Sequence, residues 1–125
     1  MKALIALLVP LLVAVESGGN PSAIGDNGKA VGILQLHEIY VQDVNRIWGT
    51  EYTPQDRYNA RKSAEITILY LWYWGKHYER TTGNRATLEV LAKIHNGGCY
   101  GYKKKATEKY WEKVERVYNG HRQAQ

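Results

Sequence analysis

Leu12-Val13-Ala14-Val15-Glu16-Ser17-Gly18-Gly19-Asn20-Pro21 is the stretch on which the reading of this chain turns. It closes an apolar run that extends from Ala3 to Val15 behind Met1-Lys2, a pattern common to signal peptides and buried first helices. Pro10 suits the first turn of a helix and disturbs an interior, so either a short helix opens there or a longer one from Ala3 bends there. In both cases Gly18-Gly19-Asn20-Pro21 stops it near Ser17. No small-x-small cleavage pattern precedes Glu16, and the run is short for a bilayer span. Cleavage after Ala14 would strip away the helix that carries Glu16. A retained segment is therefore expected, as a buried first helix or as an uncleaved membrane-targeting one.

Working outward, Gly18 to Gln35 is rich in turn formers and reads as a glycine-rich excursion of short extended pieces. Within it, Ala30 to Leu36 is apolar enough for a buried strand or edge. His37 to Trp48 reads as a helix with Val41, Val44, Ile47 and Trp48 on one stripe. Gly49 to Tyr58 is a loop. Ala60 to Arg80 is the strongest helix, with Ile66, Leu69, Leu71 and Trp74 crowding its faces. After a loop from Thr81 to Arg85, Asn84 is placed to cap a helix from Ala86 to His95, ended by Gly97-Gly98. A last helix runs from Ala106 to Tyr118, with Gly120 as its stop. The expectation is a mainly α fold, one domain of about five helices around the partly extended excursion. Residues 1–9 form a leader-like segment and residues 10–125 the domain proper.

Composition bounds the function. At 125 residues the chain suits one domain, and 44% hydrophobic residues suffice for a core. Ten Tyr, four Trp and no Phe give an aromatic set whose members all carry a polar handle, suited to half-wet clefts as well as to cores. The net charge of +5 favours an anionic partner: nucleic acid, membrane surface or cell wall. Cys99 is the only cysteine, so no internal disulfide forms.

Glu16 stands where apolar packing meets flexible glycine turns, the setting a general acid requires. A carboxylate at a helix C-terminus also opposes the macrodipole, which makes an idle surface role less comfortable. Asp26 lies in the same excursion, and two carboxylates brought together by a folded-back loop are the usual apparatus of glycoside hydrolysis. Gly25-Asp26-Asn27-Gly28 is equally an ordinary tight turn. His37-Glu38 lacks the second histidine of the zinc-protease helix, and Cys99 has no partner cysteine for a metal site. Lys103-Lys104-Lys105 beside Tyr100 and Tyr102 is thin support for nucleic-acid binding.

Glu16-Ser17-Gly18-Gly19-Asn20-Pro21-Ser22-Ala23, followed by Gly32-Ile33-Leu34-Gln35, resembles the signature of the SLT-type lytic transglycosylases and the related goose-type lysozymes. Ile94-His95-Asn96-Gly97-Gly98 is similar to that family's Tyr-Asn-Ala-Gly segment. Thr107-Glu108-Lys109-Tyr110-Trp111-Glu112-Lys113-Val114 is similar to its Glu-Thr-x-x-Tyr-Val-x-Lys-Val helix. The resemblance implies a lysozyme-like fold that cuts the β-1,4 bond between N-acetylmuramic acid and N-acetylglucosamine, without metal or organic cofactor. It implies Glu16 as the acid, Ser17 as its hydrogen-bonding partner, and Gln35, Asn96 and Tyr110 in the sugar cleft. His95 replaces the usual tyrosine, and His37 stands where goose-type enzymes carry a further aspartate; both are counted among the substrate contacts. The loop around Asp26 resembles the goose type more than the SLT type, so hydrolysis with Asp26 activating water is expected. The alternatives are a non-hydrolytic transglycosylase leaving 1,6-anhydromuramic acid and, from another class, an inactive glycan-binding module. The expected partner is the peptidoglycan glycan strand, met by a monomer in the cell wall, periplasm or outside the cell. Transient membrane contact through the N-terminus is included, and nucleic acid is not.

Overall fold

The computed structural model describes residues 1–124. Helix α1 (Lys2–Glu16) runs unbroken through Pro10 and buries Ile5, Leu8, Leu11 and Leu12. Of the leader-like residues 1–9, Ile5 and Leu8 are buried in the core, and Leu12 beyond them is wholly enclosed. The excursion follows as β1 (Ile24–Gly25) and β2 (Ala30–Val31), paired antiparallel with Ile24 opposite Val31. A tight 3-10 turn over Asp26–Gly28 joins them.

The extended piece expected over Ala30 to Leu36 is broken after Val31. The chain turns at Gly32–Gln35 and returns, so that Leu36 bridges back to Val31. Gly32 makes the turn feasible: its φ is +86°, and a Cβ there would lie 1.9 Å from the Arg57 carbonyl oxygen. Only glycine meets both demands.

Helix α2 (Glu38–Trp48) buries Tyr40, Val41 and Val44. Val41 and Val44 of its expected stripe are buried, but Trp48 is 40% exposed and Tyr40 turns inward instead. The loop that follows contains a 3-10 turn over Pro54–Tyr58. Its Arg57 is buried and binds three carbonyls: Pro54 at 2.8 Å, Leu36 at 3.0 Å and Lys29 at 3.2 Å. That side chain staples the excursion to the rest of the domain.

Helix α3 (Ala60–Thr82) packs against α1, α2 and α4 and carries Ile66 and Leu71 into the centre. Helix α4 (Leu88–Gly97) begins two residues later than Asn84 capping would have it. The Ala86 amide is taken by the Glu79 carboxylate at 2.9 Å, which keeps the chain extended as far as Thr87, and Thr87 caps instead. Helix α5 (Glu108–Ala124) passes through Gly120, which does not take a left-handed φ and where an added Cβ would meet nothing within 4 Å. Glycine ends a helix by turning left-handed; at an exposed helical position it only costs about 1 kcal/mol. The five helices enclose one apolar core, with the small hairpin on its edge. Among the described residues no helix is long and apolar enough to cross a membrane.

Candidate active site

Glu16 is the last residue of α1. The amides of Ser17 and Gly18 both bond the Val13 carbonyl at 3.0 Å, and Gly18 takes a positive φ, so the helix ends in one sharp step. The glutamate is left at the junction of core and solvent, its side chain 18% exposed.

Three elements converge on its Oε2. The Tyr110 hydroxyl, on the first turn of α5, donates at 2.8 Å. The His95 Nε2, on the last turn of α4, lies 3.2 Å away and also bonds the Leu34 carbonyl at 3.3 Å. The other imidazole nitrogen, Nδ1, is 2.9 Å from the Tyr40 hydroxyl of α2. Tyr40 in turn stacks on Tyr70 of α3, ring centroids 3.7 Å apart. Every helix of the domain therefore sends a residue into this cluster, and the excursion contributes a carbonyl. Burial, then the nearby Glu16 carboxylate, pushes the Tyr110 phenol far above its ordinary pKa. Burial does the same to Tyr40, with Tyr70 adding to it. Both phenols stay protonated through the physiological range and act as donors.

Beside the cluster opens a cavity of about 570 Å³, walled by His95, Tyr40, Tyr70, Trp74, His37 and Asn96, among others. Glu16 and Tyr110 are not among its lining residues; His95 stands between the cavity and the glutamate's contacts. Asn96 is exposed and lines the cavity. The Trp74 indole N–H donates to Asp43 at 2.9 Å, fixing an aromatic face in the wall.

The remaining expected site residues are placed differently. Ser17 does not bond the Glu16 carboxyl; its hydroxyl donates to the Ile33 carbonyl at 2.8 Å and accepts from the Gly19 amide. It ties the helix end to the excursion. Gln35, at a positive φ, donates its amide to the Ala23 and Gly32 carbonyls, both at 3.0 Å, and so braces the loop it sits in. Asp26 is 59% exposed and its Oδ2 pairs with the His37 Nε2 at 2.9 Å. Of that pair His37 lines the cavity and Asp26 does not, whereas Glu16 draws its partners from α4 and α5.

Tyr40 and Arg57 carry no local signal in the sequence. A tyrosine in an amphipathic helix and an arginine in a loop become legible only once the fold supplies their partners.

The transglycosylase SLT domain family matches residues 2–117. Among curated proteins, Lysozyme 1 of Crassostrea virginica is 30% identical over 103 residues, which is 81% of this chain and 53% of that protein. The chain spans about half the length of the curated relative it matches. With the match running from the start of α1 into α5 and taking in Glu16, His95 and Tyr110, this chain belongs to the transglycosylase SLT domain family, within the lysozyme-like superfamily.

Proposed function

We propose that the chain cleaves the glycan strands of peptidoglycan at the β-1,4 bond between N-acetylmuramic acid and N-acetylglucosamine, with Glu16 as general acid. The observation that carries this reading is the carboxyl at the end of α1, mostly withdrawn from solvent and held by Tyr110 across the helix junction. Membership of the SLT family and likeness to a lysozyme support the substrate class. Glu16 gives its proton to the bridging oxygen as the C1–O bond breaks and its electron pair passes to the leaving sugar. The carboxylate so formed then takes the proton of whichever hydroxyl closes on C1.

The sequence favours a water for that role, placed by Asp26. The exposure of Asp26 and its pairing with His37 speak for the other route, in which the muramic C6 hydroxyl attacks and Glu16 alone serves both proton transfers. We therefore propose the non-hydrolytic cut. Hydrolysis is the second reading; it is supported by the likeness to Lysozyme 1 and by His37, which lines the cavity while bonded to Asp26.

Mass spectrometry of digested peptidoglycan separates the two, since their products differ by one water per cut. Fragments ending in 1,6-anhydromuramic acid are expected, and reducing muramic ends would assign the second reading. In this reading the chain acts as a monomer at the cell wall, in the periplasm or outside the cell, the location following from a peptidoglycan substrate. Light scattering that finds only dimers would contradict the monomer.

A further inference from the structure

His95 stands where the family's segment carries tyrosine, and its surroundings differ from those of a sugar contact. Its side chain is 2% exposed, and both ring nitrogens are engaged by protein. Nε2 faces two oxygens, the Leu34 carbonyl at 3.3 Å and Oε2 of Glu16 at 3.2 Å. The carbonyl can only accept, so Nε2 carries the hydrogen whether Glu16 is protonated or not. On the far side the Tyr40 hydroxyl, kept protonated by its burial, lies 2.9 Å from Nδ1 and donates to it in the neutral ring. The ring is thus held in one orientation and one tautomer by two groups that take no part in the reaction.

The consequence falls on the glutamate. Oε2 already faces the hydrogens of Tyr110 and His95, and a third hydrogen on that oxygen would point into one of them. Among the described residues no protein donor or acceptor is bonded to Oε1. Resting on the proposed role of Glu16 as acid, we infer that His95 is a positioning residue that, with Tyr110, reserves Oε2 as the anchored oxygen and leaves Oε1 to carry the transferable proton. An acid with two equivalent oxygens spends part of its time with the proton on the wrong one. Here the anchored carboxyl presents a single donor of fixed direction, which is the kind of preorganisation that favours the chemical step over substrate binding.

Two measurements test this on the full chain. Imidazole nitrogen NMR at neutral pH should find the His95 Nε2 bearing hydrogen; an Nε2 without hydrogen overturns the assignment. In steady-state cleavage of a soluble glycan-strand oligomer, His95→Asn loses the donor at the Nε2 position, whereas His95→Gln can restore it. The expected result for Asn is a kcat lowered by about tenfold or more with KM little changed, and for Gln a recovery of most of that loss. Equal losses in Asn and Gln, or a raised KM at unchanged kcat, would assign His95 to structure or to sugar binding and overturn the inference. If the parent chain cuts no glycan, the proposed function fails, and the nitrogen spectrum still decides the His95 placement on its own.

Discussion

The Tyr110 hydroxyl gives Glu16 its shortest contact, 2.8 Å, and does so from a helix remote in sequence. A hydrogen bond to a charged group is worth about 1.5–3 kcal/mol. Tyr110→Phe keeps the ring and removes only that donor, so kcat should fall roughly 10- to 100-fold if the bond is fully used in the transition state. Initial rates on purified cell walls check it, and a Phe variant as active as the parent would remove Tyr110 from the acid's machinery. At this scale the sequence is informative about identity and weak on contacts. Glu16 is legible because an apolar run meeting Gly-Gly-Asn-Pro leaves a charge with nowhere ordinary to go. Ser17 and Gln35 share its signature, yet their side chains bond the excursion's own carbonyls. Which of two nearby acceptors a hydroxyl or amide chooses depends on how the loop closes, and no local pattern encodes that.

The excursion is the element that positions Leu34 behind His95, and it is fastened at Arg57 and Gly32. Gly32→Ala must move the Arg57 carbonyl out of a 1.9 Å overlap and also adopt an unfavourable φ. Overpacking alone costs about 1–3 kcal/mol; a thermal melt matching the parent would show the turn to be more yielding than this account allows. The neighbouring 3-10 turn adds a pH dependence. The Thr53 amide, and after it Lys62, holds the Asp56 carboxyl below its ordinary pKa. A depressed carboxylate contributes stability that is complete at neutral pH and is lost as pH falls through the lowered value. Asp56→Asn should therefore be less stable than the parent at neutral pH and converge with it in acid. A stability difference that does not change with pH would contradict this. Element boundaries follow the same division between local and distant causes. Helix α3 starts at Ala60 as its apolar pattern implies, because Asn59 caps it locally at Lys62. The start of α4 was set by Glu79 on another helix, which Asn84 gave no means of foreseeing.

Across the whole molecule the weight of the fold rests on α1. Residues 1–9 supply Ile5 and Leu8 to the core, at 2% and 0% exposure. Burying each such side chain is worth about 1.5–3 kcal/mol, a large part of the 5–15 kcal/mol that holds a domain together. Removing those residues should lower the denaturation midpoint sharply; an equally stable truncated protein would make them a leader after all. The outer face of α1 leaves Ala3, Ala6 and Leu7 exposed beside Lys2, on a chain of net charge +5. That supports the proposed transient membrane contact, which sedimentation with anionic vesicles tests. Binding should be present at low salt and fade as salt screens the charge, and its absence at low salt would remove the contact.

The account centres on one carboxyl, and replacing it tests everything built around it. Glu16→Gln keeps the shape of the side chain and leaves a hydrogen-bond acceptor for Tyr110, so the variant should melt with the parent. Losing a general acid costs roughly 10²–10⁴-fold, and more where the same group serves both proton transfers. The measurement is the release of soluble glycan fragments from purified peptidoglycan by parent and variant side by side. The predicted result is steady release by the parent and next to none by folded Glu16→Gln; release by the variant at the parent's rate would contradict the account.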